Sequence, residues 1–334
     1  MSLPPLLQNL RLPVIGSPLF IVSNPDLVIA QCKAGIVGSF PALNAREKDG
    51  EPIELERWLQ RITEALDRHN QANPDRPAAP FAVNQIVHRT NVRLERDIEI
   101  CARWKVPVWI TSLGARVEVN EAAHSCGGVV LHDVINNRFA HKAIEKGADG
   151  LIAVAAGAGG HAGALSPFAL IQEIRSWFDG PLALSGAIAC GDSILAAQAA
   201  GADLAYIGSA FIATEEANAV EGYKRMIVEC GADDIVYTNL FTGVLGNYLK
   251  PSVAAQGMDP DNLPTSDASA MSFASGSSKP KSWKEIWGSG QGIGAIKDVL
   301  PAAALIDRLD REYRAAQKRL ADTLARARPA VAAE

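Results

Sequence analysis

The chain is short of cysteine, has no long apolar run and concentrates no positive charge, and each of these absences narrows the field. Five cysteines in 334 residues, Cys32, Cys101, Cys126, Cys190 and Cys230, are odd in number, widely spaced and free of any CxxC pair. Neither a disulfide framework nor a zinc site is expected from them. Cys190 stands beside an expected ligand loop, where a small buried thiol is the simpler reading. No apolar stretch approaches the ~20 residues that span a bilayer, and MSLPPLLQNLRLP has neither a cationic n-region nor an h-region. A cytoplasmic protein is therefore expected. The formal charge of −5 supplies no basic field and the arginines are dispersed, which speaks against nucleic acid as a partner. His69, His88, His124 and His141 share no spacing with acidic residues, so no metal is expected.

What is present is an alternation. Hydrophobic residues make up 48% of the chain, and short β-branched or apolar runs recur at 12–20, 35–40, 81–87, 106–113, 127–134, 149–156, 181–188 and 203–211. Segments of helical period stand between them, at 53–69, 91–104, 137–147, 167–178 and 192–201. Buried strands alternating with helices mark a parallel sheet, and eight repeats favour closure into a (β/α)₈ TIM barrel over a doubly wound open sheet. No G-x-G-x-x-G follows the first run. Gly147 and Gly201 stand where a left-handed residue would end a helix, and Asp192 where an N-cap would begin one.

After the eighth run the composition changes. Residues 213–250 look helical, 256–282 are rich in Ser, Pro, Asp and Gly, and a final helix is expected near 301–327, with Leu305, Leu309, Tyr313 and Leu320 packing on the barrel. The expected division is 1–212 for barrel strands and helices, 213–287 for an inserted helical and irregular substrate-side subdomain, and 288–334 for a returning segment and the last barrel helix.

A barrel binds its ligand at the C-terminal ends of its strands and commonly holds phosphate after strands seven and eight. Those ends read LSGAIACGD and YIGSAF. Gly186 and Gly208 allow close backbone approach, Ala187 and Ser209 offer N–H groups, and the Ser209 hydroxyl adds a donor; the alternative is a pair of tight turns. The sixth run leads into G-A-G-G-H-A-G, where Gly157, Gly159, Gly160 and Gly163 clear side chains from around His161. An imidazole so placed can take a proton or bind an oxyanion, or be an incidental solvent-facing histidine in a Gly-rich turn. His132, ending the fifth run, reads equally as a ligand contact or as part of a buried polar network. Asn84, ending the third, could pair with a heterocycle or cap a loop.

These residues resemble the nitronate monooxygenases, formerly called 2-nitropropane dioxygenases. The resemblance covers roughly 12–250 and resumes at WGSGQGIG (287–294). It is carried by G-G-H-A-G at 159–163, LSGAI, YIGSAFIAT and VVLHDVINNRFAHKA. It implies an FMN-dependent barrel with His161 as catalytic residue. The cofactor contacts it implies are Pro18, Leu19, Asn84, His132, Gly160, Ser185, Gly186, Ala187, Gly208, Ser209 and Gln291. The implied reaction oxidises an alkyl nitronate or nitroalkane to a carbonyl compound and nitrite with O₂. The alternatives are an NAD(P)H-dependent FMN reductase acting on quinones or enoyl thioesters, and a phosphate-ligand-binding barrel without turnover. Three departures from the family pattern stand out. Ala187 replaces a frequent glycine, Leu19 a frequent methionine, and Asp133 stands where several relatives carry a lysine near the flavin. An inward-pointing carboxylate there would disfavour negative charge on a reduced flavin. The physiological substrate and the oligomeric state, a homo-oligomer included, stay open.

Overall fold

A computed structural model describes residues 3–47, 53–266 and 284–327. Eight parallel strands form the barrel: β1 (Val14–Gly16), β2 (Gly38–Pro41), β3 (Phe81–Ile86), β4 (Val108–Ser112), β5 (Val129–Val134), β6 (Gly150–Val154), β8 (Leu182–Ser185) and β9 (Leu204–Ile207). The two-residue β7 (Gly160–His161) belongs to a separate sheet. In space the barrel strands run β1-β9-β8-β6-β5-β4-β3-β2, and pairing of Ile15 with Val37 closes β1 onto β2. The eight runs expected from the sequence are these eight strands, and the architecture is the TIM barrel.

The helices are α1 (Pro5–Gln8), α2 (Pro25–Lys33), α3 (Ile53–Ala72), α4 (Leu94–Arg103), α5 (Val117–Ser125), α6 (Asn137–Glu145), α7 (Pro167–Arg175), α8 (Gly191–Ala199), α9 (Ser209–Ile212), α10 (Glu221–Glu229), α11 (Lys250–Ala254) and α12 (Ala302–Ala327). Side-chain capping starts two of them: Asn24 accepts from Leu27 N at α2 and Asn136 from Phe139 N at α6. Gly147 and Gly201 do take positive φ, +92° and +113°, just past α6 and α8. Asp192 is not the N-cap of α8. Cys190 holds that position, and Asp192 lies in the first turn, paired with Arg319.

Strand alternation divides the core into two shells. Ile15, Val37, Ala82, Val108, Ile110, Leu131, Ile152, Ala183, Leu204 and Tyr206 fill the barrel, and Leu7 of α1 plugs its N-terminal end. The intervening residues, such as Phe40, Trp109, Val130 and Leu151, pack outward against the helices. Helix α12 seals the ring between α8 and α2. At Gly191 a Cβ would fall 2.0 Å from Tyr313 N, so only glycine lets the two helix backbones meet. Leu305 and Leu309 are buried as expected, but Leu320 is 45% exposed because the helix has by then run past the barrel.

The reading of 213–250 as helical holds only for α10. Ile235–Thr238 is β10, Gly246–Leu249 is β11, and β11 joins both β10 and β7 in an antiparallel sheet. The Ile-Val-Tyr-Thr run is β-branched and aromatic, and it favours strand wherever a partner is available. Tyr248, Val253 and Ile286 form a small apolar cluster in this region, separate from the two shells of the barrel. From residue 267 to 283 the expected irregular stretch lies outside the described residues, as does the tail from 328. No helix among the described residues is long and apolar enough to cross a membrane.

Candidate active site

The inward face of the barrel changes character along the strands. Toward the N-terminal end it is aliphatic; toward the C-terminal end it presents Ser39, Asn84, Ser112, Asp133, Ser185 and Tyr206, with Val154 among them. This polar layer lies at the mouth where a barrel binds its ligand. Asn84 Nδ2 donates to Ile110 O (3.1 Å) and to Ser112 Oγ (2.8 Å). A carbonyl only accepts, so the amide orientation is fixed and Oδ1 is what Asn84 has left to offer. The Asp133 carboxyl accepts from the Ser112 hydroxyl and from Leu113 N–H, and burial pushes it up to about 6. The Tyr206 hydroxyl bonds Ser17 and feels Asp133 from across the barrel.

Four loops converge beside this layer. The Gly157 carbonyl accepts from Ala187 N (3.1 Å) and from Gln291 N (2.9 Å), tying the loop after β6 to the loop after β8 and to the returning segment. Ser209 Oγ accepts from Gly290 N at 2.8 Å, and a Cβ on Gly159 would lie within 3.1 Å of both partners. Gly208 packs on Leu19, whose Cδ2 would be 3.3 Å from an added Cβ. Asn44 holds the loop after β1, which contains Pro18 and Leu19, by bonding Leu19 O, Ile21 N and Ser23 O. Leu19, Ala187, Gly208, Ser209 and Gln291 thus lie on loops that touch one another. One detail differs. The Ala187 N–H expected for a phosphate is donated to Gly157 O, because Ala187 takes φ +54° and turns its N–H into the neighbouring loop.

His161 is not on a bare loop. With Gly160 it forms β7, paired to β11 through Gly246 and Asn247, and Asn247 Nδ2 donates to Ala158 O at 2.7 Å. The flanking glycines serve close backbone packing more than free space: a Cβ on Gly163 would be 2.5 Å from Val154 O, and one on Gly246 would be 2.7 Å from Gly160 O. The imidazole Nε2 lies 2.9 Å from Thr242 Oγ1, and burial pulls its pKa down to about 4.

His132 is placed elsewhere. Alternation turns it outward with Val130 and Val134, between strands and helices, where Nδ1 lies 2.6 Å from Thr111 Oγ1. The structure does not bring it to the mouth, and Asp133 occupies the inward position instead. Ser112, Tyr206, Ser17 and Thr242 went unnoticed in the sequence. For the first two the signal existed, since both lie two residues beyond an inward aliphatic. For Thr242, 81 residues from His161, there was none.

The touching loops and the polar layer make the barrel mouth the candidate small-molecule site of a TIM-barrel protein. The comparisons give the family. The sequence profile of nitronate monooxygenase matches residues 7–312, and the chain belongs to that family of oxidoreductases. A nitronate monooxygenase of Paraburkholderia phytofirmans is 25% identical, the alignment covering 90% of this chain and 92% of that protein. Among solved structures, nitroalkane oxidase from Streptomyces ansochromogenes superposes with a TM-score of 0.76 at 22% identity, covering 94% of this chain and 99% of that one. FabK from Thermotoga maritima superposes at 0.74 and 22%, covering 95% and 97%.

Proposed function

We propose that the protein oxidises alkyl nitronates to a carbonyl compound and nitrite, using FMN as cofactor and O₂ as electron acceptor. The observation that carries this reading is a half-buried histidine, His161, fixed on a short strand after β6 of a barrel whose family match spans nearly the whole chain. The donor set fits a flat, phosphate-bearing group. Gly186, Gly208 and the Ser209 hydroxyl would receive the phosphate, Pro18 and Leu19 would lie against the ring, and Asn84 Oδ1 would accept from a ring N–H. FMN, when bound, supplies the electron transfer between nitronate and O₂.

The chain itself handles the proton. His161 Nε2 lies 2.9 Å from Thr242 Oγ1, a hydroxyl that also meets Val244 O at 3.1 Å and so fixes the orientation of the ring. Burial keeps the ring neutral at pH 7. It can therefore remove the α-proton of a neutral nitroalkane, and the resulting imidazolium then stabilises the nitronate oxygens. A substrate arriving already ionised needs only orientation.

The test is anaerobic reduction of the purified protein, followed by heat release and chromatography of its flavin. Recovery of FMN with fast bleaching by propyl nitronate and sluggish bleaching by NADH supports the reading. Fast bleaching by NADH with no response to nitronate would make it a reductase, and mainly FAD would remove the phosphate assignment.

A further inference from the structure

The eight barrel strands contain a single Asp, Glu, Lys or Arg, and it is Asp133. It stands two residues beyond the inward Leu131 and acts on Tyr206 across the barrel, so its carboxyl faces the interior. Around it are Ser112 and Leu113 from β4 and the turn that follows, Asn84 on β3, Val154 on β6, Ser185 on β8, Tyr206 on β9 and Ser17 after β1, none of them cationic. His132, next to it on β5, points the other way and is held neutral by burial. Among the described residues no Lys, Arg or His helps to hold the carboxylate charge. Ser112 and Leu113 satisfy two of its roughly four acceptor sites. Asp133 is half-buried, and a carboxylate drawn out of water normally has a cationic partner, the lack of which is costly.

We propose that Asp133 takes up a proton when the cofactor in the barrel mouth is reduced, so that the protein itself compensates the charge the electrons bring in. The proposal rests on the flavin reading given above. Burial has already moved Asp133 to about 6 against the opposing pull of Ser112 and Leu113, and a new negative charge nearby raises it further. The balance is two electrons and two protons: one proton goes to the ring and one passes from solvent to Asp133. Reoxidation releases both. Below about pH 6 the carboxyl is protonated in both redox states and takes up nothing. Well above its raised value it stays ionised in both.

The midpoint potential of the FMN-loaded protein, followed spectroscopically against reference dyes from pH 5 to 9, measures this without turnover. At about 30 mV per tenfold change for a two-electron couple, one proton gives a slope of about 30 mV per pH unit and two give about 59 mV. Wild type should show the steeper slope beginning near pH 6, and Asp133→Asn the shallower slope throughout with a higher potential at pH 7. Ser112→Ala removes a bond to the carboxylate and should start the steep segment at a higher pH. A steep segment that persists in Asp133→Asn would put the second proton on the ring itself and overturn the proposal, as would a shallow slope in wild type. Folded wild type, checked by circular dichroism, that takes up no FMN would overturn the flavin reading and this inference with it. Bound FMN with identical slopes in all three proteins would overturn this inference alone.

Discussion

The pH dependence of proton abstraction from a neutral nitroalkane is where the burial of His161 becomes measurable. An ordinary histidine, with a pKa of 6.5, would be about 97% protonated at pH 5 and would keep about 3% of its base form. His161 is pulled down to about 4 by burial, so at pH 5 about 90% of the base form should remain. The two cases differ by about thirtyfold at a single pH. The perturbation is His161→Asn, which keeps a hydrogen-bond donor and removes the base; it should lower kcat/KM for nitroethane by ~10² at pH 7, the range of general-base contributions. Turnover of preformed nitronate should suffer less, and flavin content should match wild type. Taking the ratio of wild type to variant at each pH cancels the titration of any other group, Asp133 included. That ratio should hold from pH 7 to pH 5 and fall only near pH 4. A thirtyfold fall by pH 5 would show that His161 titrates as an exposed residue, and a ratio near one at pH 7 would mean that it is not the proton acceptor.

Thr242→Val should lower nitroalkane turnover by about tenfold with flavin content unchanged, since it removes the hydroxyl that orients the His161 ring; steady-state rates alongside flavin absorbance decide it. Ala187→Gly should raise stability by about 1 kcal/mol in urea unfolding, because φ +54° is left-handed backbone that suits glycine. Gly159→Ala places a Cβ 2.8 Å from Gly290 N and 3.1 Å from Ser209 Oγ, so it should force the returning segment off the rim and lower FMN occupancy in the purified protein. The acid stability of the apoprotein follows from opposed shifts. His132 and His161 are lowered to about 4, so between pH 6.5 and 4 the unfolded chain binds more protons there and stability falls with pH. Asp97 and Asp133 are raised to about 6, so the folded chain binds protons first and the fall is offset between pH 6 and 4. The urea midpoint should therefore be nearly level between pH 6 and 4, whereas Asp133→Asn should lose about 1.4 kcal/mol per pH unit over the same interval.

The barrel could be read from the sequence because its strands are buried on both faces and separated by amphipathic helices, a pattern set by local residue choice. The final helix was legible for the same reason, down to Leu305 and Leu309. The small sheet was not, since β7 is two residues long and becomes a strand only because β11, some 85 residues on, lies beside it. His132 and Asp133 show what period-2 reasoning can add. Once Leu131 is assigned to the interior, His132 must face the helices and Asp133 the inside of the barrel, whatever their chemistry suggests. Leu320 shows a limit of helical periodicity, which marks an apolar stripe without saying where the surface that covers it ends.

Backbone strain is distributed around the same mouth. Among the described residues four that are not glycine take positive φ: Ile21, Lys105, Leu113 and Ala187. Lys105 follows α4 at the far end of the barrel, where a left-handed residue is an ordinary helix ending. The other three lie in rim loops, after β1, β4 and β8, and such conformations cost about 1–2 kcal/mol each outside glycine. Their N–H groups have one thing in common. Ile21 N donates to Asn44 Oδ1, which holds the Leu19 loop; Leu113 N donates to the Asp133 carboxyl; Ala187 N donates to Gly157 O at the junction of the loops after β6 and β8. In each case the left-handed turn aims a donor at a group that shapes the site, and the packed barrel beneath holds the chain there. The strain is therefore tied to positioning: Asp133 keeps a hydrogen-bonded carboxyl in an uncharged interior partly because Leu113 is bent to supply the second donor.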